Sequence, residues 1–110
     1  MLTLIAVAAS GLVGCNGRPD GAAAKPQPAT HTITMEAVSY KPEVVTAKVG
    51  DSIVWVNKDP FPHSVASKAS GFDSLPIQPD RSWTLTPSAP GELSYVCTLH
   101  PTMKGTIRVE

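Results

Sequence analysis

Residues 97–103 read Cys-Thr-Leu-His-Pro-Thr-Met, and this short stretch is the most specific feature of the 110-residue chain. It places a thiol at Cys97, an imidazole at His100 and a thioether at Met103, with two residues between successive donors. Donors of these three types at such close spacing indicate a loop that binds a soft or borderline-soft metal ion. A fourth donor is expected from elsewhere, and His63 is the best candidate, because the chain has only three histidines.

The donor set favours copper over zinc. Thiolate and thioether ligands suit Cu(I), whereas imidazole also suits Cu(II), so a Cys/His/His plane with a weak axial Met satisfies neither oxidation state completely. Zinc sites use Cys, His and carboxylate ligands. A binuclear copper centre would need a cysteine close to Cys97, and the other cysteine is Cys15, near the N-terminus. The residues therefore predict one copper ion of the blue, type 1 kind, with the ligands His63, Cys97, His100 and Met103.

The sequence on either side of this loop resembles the amicyanin- and plastocyanin-like branch of the cupredoxin family. The resemblance covers about residues 33–110 and rests on three segments besides the ligand spacing. They are Gly-Phe-Asp-Ser at 71–74, Pro-Gly-Glu-Leu-Ser-Tyr-Val-Cys at 90–97 and Met-Lys-Gly-Thr-Ile-Arg-Val at 103–109. The resemblance implies a Greek-key β-sandwich with one Cu(II)/Cu(I) ion that carries single electrons between redox proteins.

The same resemblance implies a role for each ligand. Cys97 is the strong thiolate ligand, His63 and His100 complete the plane, and Met103 is the axial ligand that tunes the reduction potential. The edge of His100 is the port through which the electron passes. Ser64 departs from the family pattern, in which an Asn follows the first His and bridges the two ligand loops by hydrogen bonds.

Apolar residues flank the predicted electron port. Phe61 precedes the first ligand by two residues, and Leu99 and Pro101 lie on either side of His100. We expect these three side chains to form an apolar collar around the exposed His100 edge. An exposed apolar patch marks a partner site, and weak redox encounters use small interfaces, so the collar is the predicted docking surface for a redox donor and acceptor.

Outside the ligand loops the chain is predicted to be all-β. Short alternating or apolar runs follow one another with Pro and Gly between them, and no segment shows the 3.6-residue period over a helical length. Strands are predicted at 32–38, 43–49, 52–57, 63–67, 81–86, 92–97 and 104–110. They indicate a single-domain β-sandwich over residues 31–110, with about seven or eight strands.

The N-terminus indicates export and a lipid anchor. Residues 1–14 form an apolar run that is too short to span a bilayer and is typical of a signal peptide. Leu-Val-Gly-Cys at 12–15 is similar to a lipobox, which implies that Cys15 is diacylated and becomes the mature N-terminus. No Lys or Arg precedes the run, which a misplaced start codon would explain, and an ordinary cleaved signal is the alternative. Residues 15–30, with Pro, Gly and Ala, are predicted to be a flexible linker.

The balance of charged residues excludes one class of partner. Residues 31–110 carry seven Lys/Arg and eight Asp/Glu without a basic block, so nucleic acid is not an expected partner.

We expect a monomer that is periplasmic or otherwise extracytoplasmic and tethered to a membrane. We do not expect it to be an enzyme, because no substrate pocket or open metal position is implied. One alternative is a periplasmic copper-binding or copper-delivery protein, although no Met-rich or His-rich tract is present. The other is an electron-entry module of a multicopper oxidoreductase.

Overall fold

Nine short β-strands form the framework of residues 27–110, the part of the chain that the computed structural model describes. They are β1 (Thr30–Glu36), β2 (Ser39–Lys41), β3 (Val44–Ala47), β4 (Ser52–Asn57), β5 (Ala66–Ser67), β6 (Phe72–Asp73), β7 (Ser82–Leu85), β8 (Gly91–Val96) and β9 (Lys104–Val109). Within these residues no helix is formed, and so none that could cross a membrane. The all-β prediction is confirmed, with nine strands in place of seven or eight. The predicted signal peptide, Cys15 and residues 16–26 lie outside the described residues.

The strands form two sheets with the apolar core between them. One sheet has the order β2-β1-β4-β7, and the other has the order β3-β9-β8-β5-β6. β1 is parallel to β4 and β3 is parallel to β9, whereas the remaining pairs are antiparallel. The connection from β4 to β5 therefore passes from one sheet to the other, while β8 and β9 are neighbours in one sheet. These two connections carry the predicted ligands.

The sequence prediction misses β2 and β6 because both are very short. A strand of two or three residues cannot show a period-two pattern. The turn before β2 also lacks the usual sequence signal, since Ala37 and Val38 occupy positive φ angles of 53° and 55°, where Asn or Gly is the common choice. β5 begins at Ala66, three residues later than predicted, so His63 lies in a loop.

Aromatic packing across the two sheets fills the core beneath the loops. The Tyr95 ring makes edge-on contacts with Tyr40, at a centroid distance of 4.7 Å, and with Trp55, at 5.3 Å. Tyr95 lies opposite Gly105 in the β8–β9 pair. A Cβ atom at Gly105 would lie 2.3 Å from the Tyr95 ring atom Cζ, so only glycine leaves room for the ring.

Asp51 ties the start of β1 to the turn that precedes β4. Its carboxylate accepts hydrogen bonds from the backbone N–H groups of Ala29, at 2.9 Å, and Lys48, at 3.0 Å, and from the ring Nε2 of His31, at 2.9 Å. The hydrogen bond with His31, followed by those from the two backbone groups, lowers the pKa of Asp51 to about 2. The contact also fixes Ala29, which the sequence assigns to the end of the linker.

This carboxylate should make folding stability depend on pH in the acid range. The pKa of Asp51 is about 2 in the folded protein and 3.8 for the unperturbed group. Its contribution to stability is therefore complete above the unfolded pKa and is lost as the pH falls through the folded pKa. We expect wild type to have a larger free energy of unfolding in urea than Asp51→Asn. This difference should decrease as the pH falls from about 4 to about 2. A difference that stays constant over this range would contradict the assignment.

Candidate metal centre

The loop between β8 and β9 carries three of the four predicted ligands. A backbone hydrogen bond closes the base of the loop, where Cys97 N–H donates to Met103 O at 3.0 Å. Within the loop, Met103 N–H donates to His100 O at 2.9 Å. His100 N–H also donates to Cys97 O at 3.3 Å. The loop is thus a tight extension of the β8–β9 hairpin, and its backbone leaves the ligand side chains little freedom to separate.

His63 is held in the connection from β4 to β5 by a two-residue bridge and by a buried amide. Its backbone exchanges two hydrogen bonds with Ile77, at 3.2 and 2.6 Å. Asn57, fully buried at the end of β4, donates from Nδ2 to both Phe61 O and Ile77 O at 2.9 Å. The Asn57 carbonyl oxygen accepts the N–H of Asp59 at 2.9 Å. One amide side chain therefore joins the part of the loop that precedes His63 to the segment that pairs with His63 at Ile77.

These two loops bring the side chains of His63, Cys97 and His100 together, with their ligand atoms all within 4.8 Å of one another. Cys97 Sγ lies 3.7 Å from His63 Nδ1 and 3.7 Å from His100 Nδ1. For metal–sulfur and metal–nitrogen bonds of about 2.3 and 2.0 Å, this separation corresponds to an angle near 120°, as in a trigonal site. Cys97 Sγ and the two Nδ1 atoms would therefore fit as ligands of a single metal ion.

Access to the three donors differs. His63 and Cys97 are fully buried, with no exposed surface, whereas His100 is half-buried. Met103, the predicted axial ligand, is also buried, with 2% of its surface exposed. His100 is therefore the donor through which this site meets the solvent.

Ser64 links the two ligand loops, although the family pattern has Asn at this position. Its backbone N–H donates to Cys97 Sγ at 3.3 Å, and its hydroxyl oxygen lies 3.9 Å from the same sulfur. The hydroxyl also accepts the N–H of Thr98 at 2.9 Å and lies 2.8 Å from Thr98 Oγ1. From the core, the Tyr40 hydroxyl donates to Ser64 O. Although the Ser64 side chain is smaller than that of Asn, it still bridges the two loops, because its hydroxyl contacts both the hydroxyl and the backbone N–H of Thr98.

Asp59, a buried residue next to the site, has a role that the sequence does not predict. It accepts hydrogen bonds from Ala37 N–H at 2.7 Å, from Val38 N–H at 3.0 Å and from His63 Nε2 at 2.6 Å. Burial raises the pKa of Asp59, but the hydrogen bonds from Val38, His63 and Ala37 outweigh burial and leave that pKa below its ordinary value. The only sequence signal is an acidic residue four positions before a predicted ligand, which is too common to single it out.

The predicted docking residues lie at the exposed end of the site. Phe61 is 37% exposed, and its ring centroid lies 5.6 Å from that of His100 and 5.2 Å from that of His63. Leu99 is 47% exposed, and Pro101 is also exposed. An apolar ring therefore contacts the half-buried imidazole directly, and two further apolar side chains flank that imidazole in the chain.

The fold and the donor set define a class of small copper-protein domains, and comparison with known proteins identifies it. The chain belongs to the cupredoxin family, since the model of the cupredoxin-like domain matches residues 3–109. Amicyanin of Paracoccus versutus is 33% identical over 98 residues, which are 84% of this chain and 74% of that protein. The resemblance seen in the sequence is thereby confirmed.

Two solved structures show how widely this fold is used. The Cu(I) form of a methionine-to-alanine mutant of amicyanin matches with a TM-score of 0.70 and 25% identity, over 78% of this chain and 87% of that chain. The Cu-containing nitrite reductase from Thermus scotoductus SA-01 matches with a TM-score of 0.68 and 31% identity. That match covers 79% of this chain but 23% of the reductase chain. The present fold therefore corresponds to one part of that larger enzyme.

Proposed function

We propose that this protein is a single-electron carrier that binds one type 1 copper ion through His63, Cys97, His100 and Met103. The observation that carries the proposal is the position of Cys97 Sγ, 3.7 Å from the Nδ1 atoms of both histidines. The similarity in fold to a Cu(I) form of amicyanin supports the choice of metal. Bound copper would supply a one-electron Cu(II)/Cu(I) couple.

The surrounding residues suit a site that changes little between oxidation states. The backbone bonds within residues 97–103 and the Ser64 bridge restrain both ligand loops. Burial of His63 and Cys97 keeps water from becoming an additional ligand. A restrained, dry site lowers the reorganisation that accompanies each electron transfer. The same features argue against free exchange of the metal, which a copper-delivery protein would need.

The electron would pass through His100, the half-buried donor. Phe61, Leu99 and Pro101 would form the docking surface around it. Phe61 contacts the His100 ring, and Phe61 and Leu99 are among the exposed large apolar side chains of residues 27–110. A small apolar surface allows brief encounters with a redox donor and a redox acceptor in turn. We expect the carrier itself to be a monomer and to catalyse no reaction alone.

The protein would work outside the cytoplasm, tethered to a membrane through diacylated Cys15. This part of the proposal rests on the sequence of residues 1–15. A fully extended linker over residues 15–30 would reach about 50 Å. The domain would therefore stay near the membrane and could still turn its docking surface toward different partners.

The copper-loaded protein should be blue, and the colour should depend on Cys97. The intense visible band arises from charge transfer between the thiolate and Cu(II), which a hydroxyl group cannot replace. We expect the visible spectrum of Cys97→Ser to lack the band, whereas Cys15→Ala, the matched cysteine control, should keep it. A colourless wild type with tightly bound zinc would contradict the copper site. Ready transfer of copper to an acceptor, without reversible one-electron voltammetry, would favour the delivery alternative.

Leu99→Glu should slow electron exchange without altering the copper site. Electron self-exchange between oxidised and reduced copies, measured by NMR line broadening, would bring two docking surfaces together. We expect a decrease of about tenfold, the effect of a residue near the centre of an interface. Val49→Glu is the matched control, because Val49 is 45% exposed and Leu99 is 47% exposed. Equal rates in the two variants, with unchanged spectra, would move the docking surface elsewhere.

Cys15 should decide where the protein is found. Two acyl chains give stable membrane anchoring, whereas a single chain binds only marginally. We expect wild type in the membrane fraction with a lipidated N-terminal cysteine, and Cys15→Ala as an unlipidated precursor. Mass spectrometry of the N-terminus checks both. A soluble wild-type protein whose N-terminus lies beyond residue 15 would disprove the anchor.

A further inference from the structure

The turn between β1 and β2 adopts a backbone conformation that its residues do not favour. Ala37 and Val38 both have positive φ angles, 53° and 55°. This region is crowded for any residue with a Cβ atom, and a β-branched residue such as Val38 is a clear outlier there. Such a conformation persists only where the surrounding structure imposes it, and it is often found next to functional sites.

Asp59 is the residue that imposes it. Oδ1 accepts the N–H of Ala37, and Oδ2 accepts the N–H of Val38, at 2.7 and 3.0 Å. The left-handed turn aims both backbone groups at one carboxylate, which is only 6% exposed. The Asp59 backbone is fixed as well, because its N–H donates to the buried side chain of Asn57 at 2.9 Å. The carboxylate is therefore held from both sides.

The same carboxylate contacts the buried ligand. Asp59 Oδ2 lies 2.6 Å from His63 Nε2, and His63 has no exposed surface. A carboxylate can only accept, so Nε2 must carry the hydrogen of this bond. In the neutral ring the lone pair then lies on Nδ1, the atom 3.7 Å from Cys97 Sγ. The hydrogen bond thus leaves the nitrogen that faces the other donors free to bind a metal ion.

We propose that Asp59 is a positioning residue for the metal centre, which sets the tautomer and orientation of His63 and places a buried negative charge behind its ring. This role of Asp59 rests on the proposed function, which identifies the metal as copper. A carboxylate that accepts from a ligand imidazole raises the basicity of that ligand. Asp59 should therefore favour Cu(II) over Cu(I) and lower the reduction potential.

The chain contains a matched control for this role. Asp51 also accepts hydrogen bonds from two backbone N–H groups and one histidine Nε2, at 2.9 to 3.0 Å. It is 6% exposed, as is Asp59. Its histidine, His31, is not among the clustered donors. Asp51→Asn and Asp59→Asn thus remove the same charge from similar surroundings, and only Asp59 touches a predicted ligand.

Cyclic voltammetry and competitive Cu(II) titration should separate the two variants. We expect Asp59→Asn to raise the reduction potential and to weaken Cu(II) binding by roughly 10- to 100-fold, the usual effect of losing a carboxylate behind a ligand histidine. Asp51→Asn should leave both quantities at the wild-type values. Equal potentials and affinities in the two variants would overturn the proposal.

A second measurement needs neither copper nor a substituted protein. In the metal-free wild type, in alkaline buffer, the ¹⁵N shifts of the His63 ring identify the nitrogen that carries the proton. We expect the Nε2–H tautomer, and its Nε2–H should exchange slowly with water. A neutral ring protonated on Nδ1 would overturn the role of Asp59. A wild type that binds no copper would instead contradict the proposed function, so the two failures are distinguishable.

Discussion

The hydrogen bonds that Ser64 makes to Cys97 and Thr98 join two loops from different parts of the sandwich, and the candidate metal centre exists only where these loops meet. One loop crosses between the sheets after β4, and the other closes the β8–β9 hairpin. Neither contains a complete trigonal donor set. The Ser64 N–H lies 3.3 Å from Cys97 Sγ, so the bond that joins the loops also contacts the central donor atom.

The core supports this junction from below. The Tyr40 hydroxyl donates to Ser64 O, and the Tyr40 ring packs edge-on against Tyr95, which requires glycine at position 105. Tyr40 belongs to the first sheet, and Tyr95 belongs to the second. Tyr40 therefore contacts the second sheet through its ring and the first ligand loop through its hydroxyl.

The sequence predicts those residues of the site that are close together in the chain or that belong to a residue type with few members. Cys97 and His100 lie three residues apart in one loop, and His63 is one of only three histidines. The structure brings these three donors within 4.8 Å of one another. β4 is likewise predictable, because residues 53–56 are a continuous apolar run, as expected for a strand in the core of a sandwich. β9 is predictable because polar and apolar residues alternate over 106–109.

The parts that escape prediction depend on contacts between distant segments. Asp59 acts on residues 37 and 38, more than twenty positions earlier, through a turn with no Asn or Gly. The Ser64–Thr98 contact spans 34 positions and replaces an expected amide with two hydroxyl groups. Residue type alone would favour a different turn at Ala37 and Val38, and the bonds to Asp59 overcome that preference.

Asp51 and Asp59 have the same kinds of hydrogen-bond partners but different roles. Each carboxylate gathers two backbone N–H groups and one imidazole. Around Asp51 the arrangement secures the start of the first strand, and its histidine, His31, lies outside the cluster of candidate metal ligands. Around Asp59 the imidazole is that of His63, a predicted metal ligand, so this carboxylate contacts the candidate metal centre directly. A turn built from favourable residues would be easier to form, but it would also hold its shape without Asp59. The unfavourable turn at Ala37 and Val38 depends on the carboxylate, which couples the shape of the β1–β2 hairpin to the position of His63.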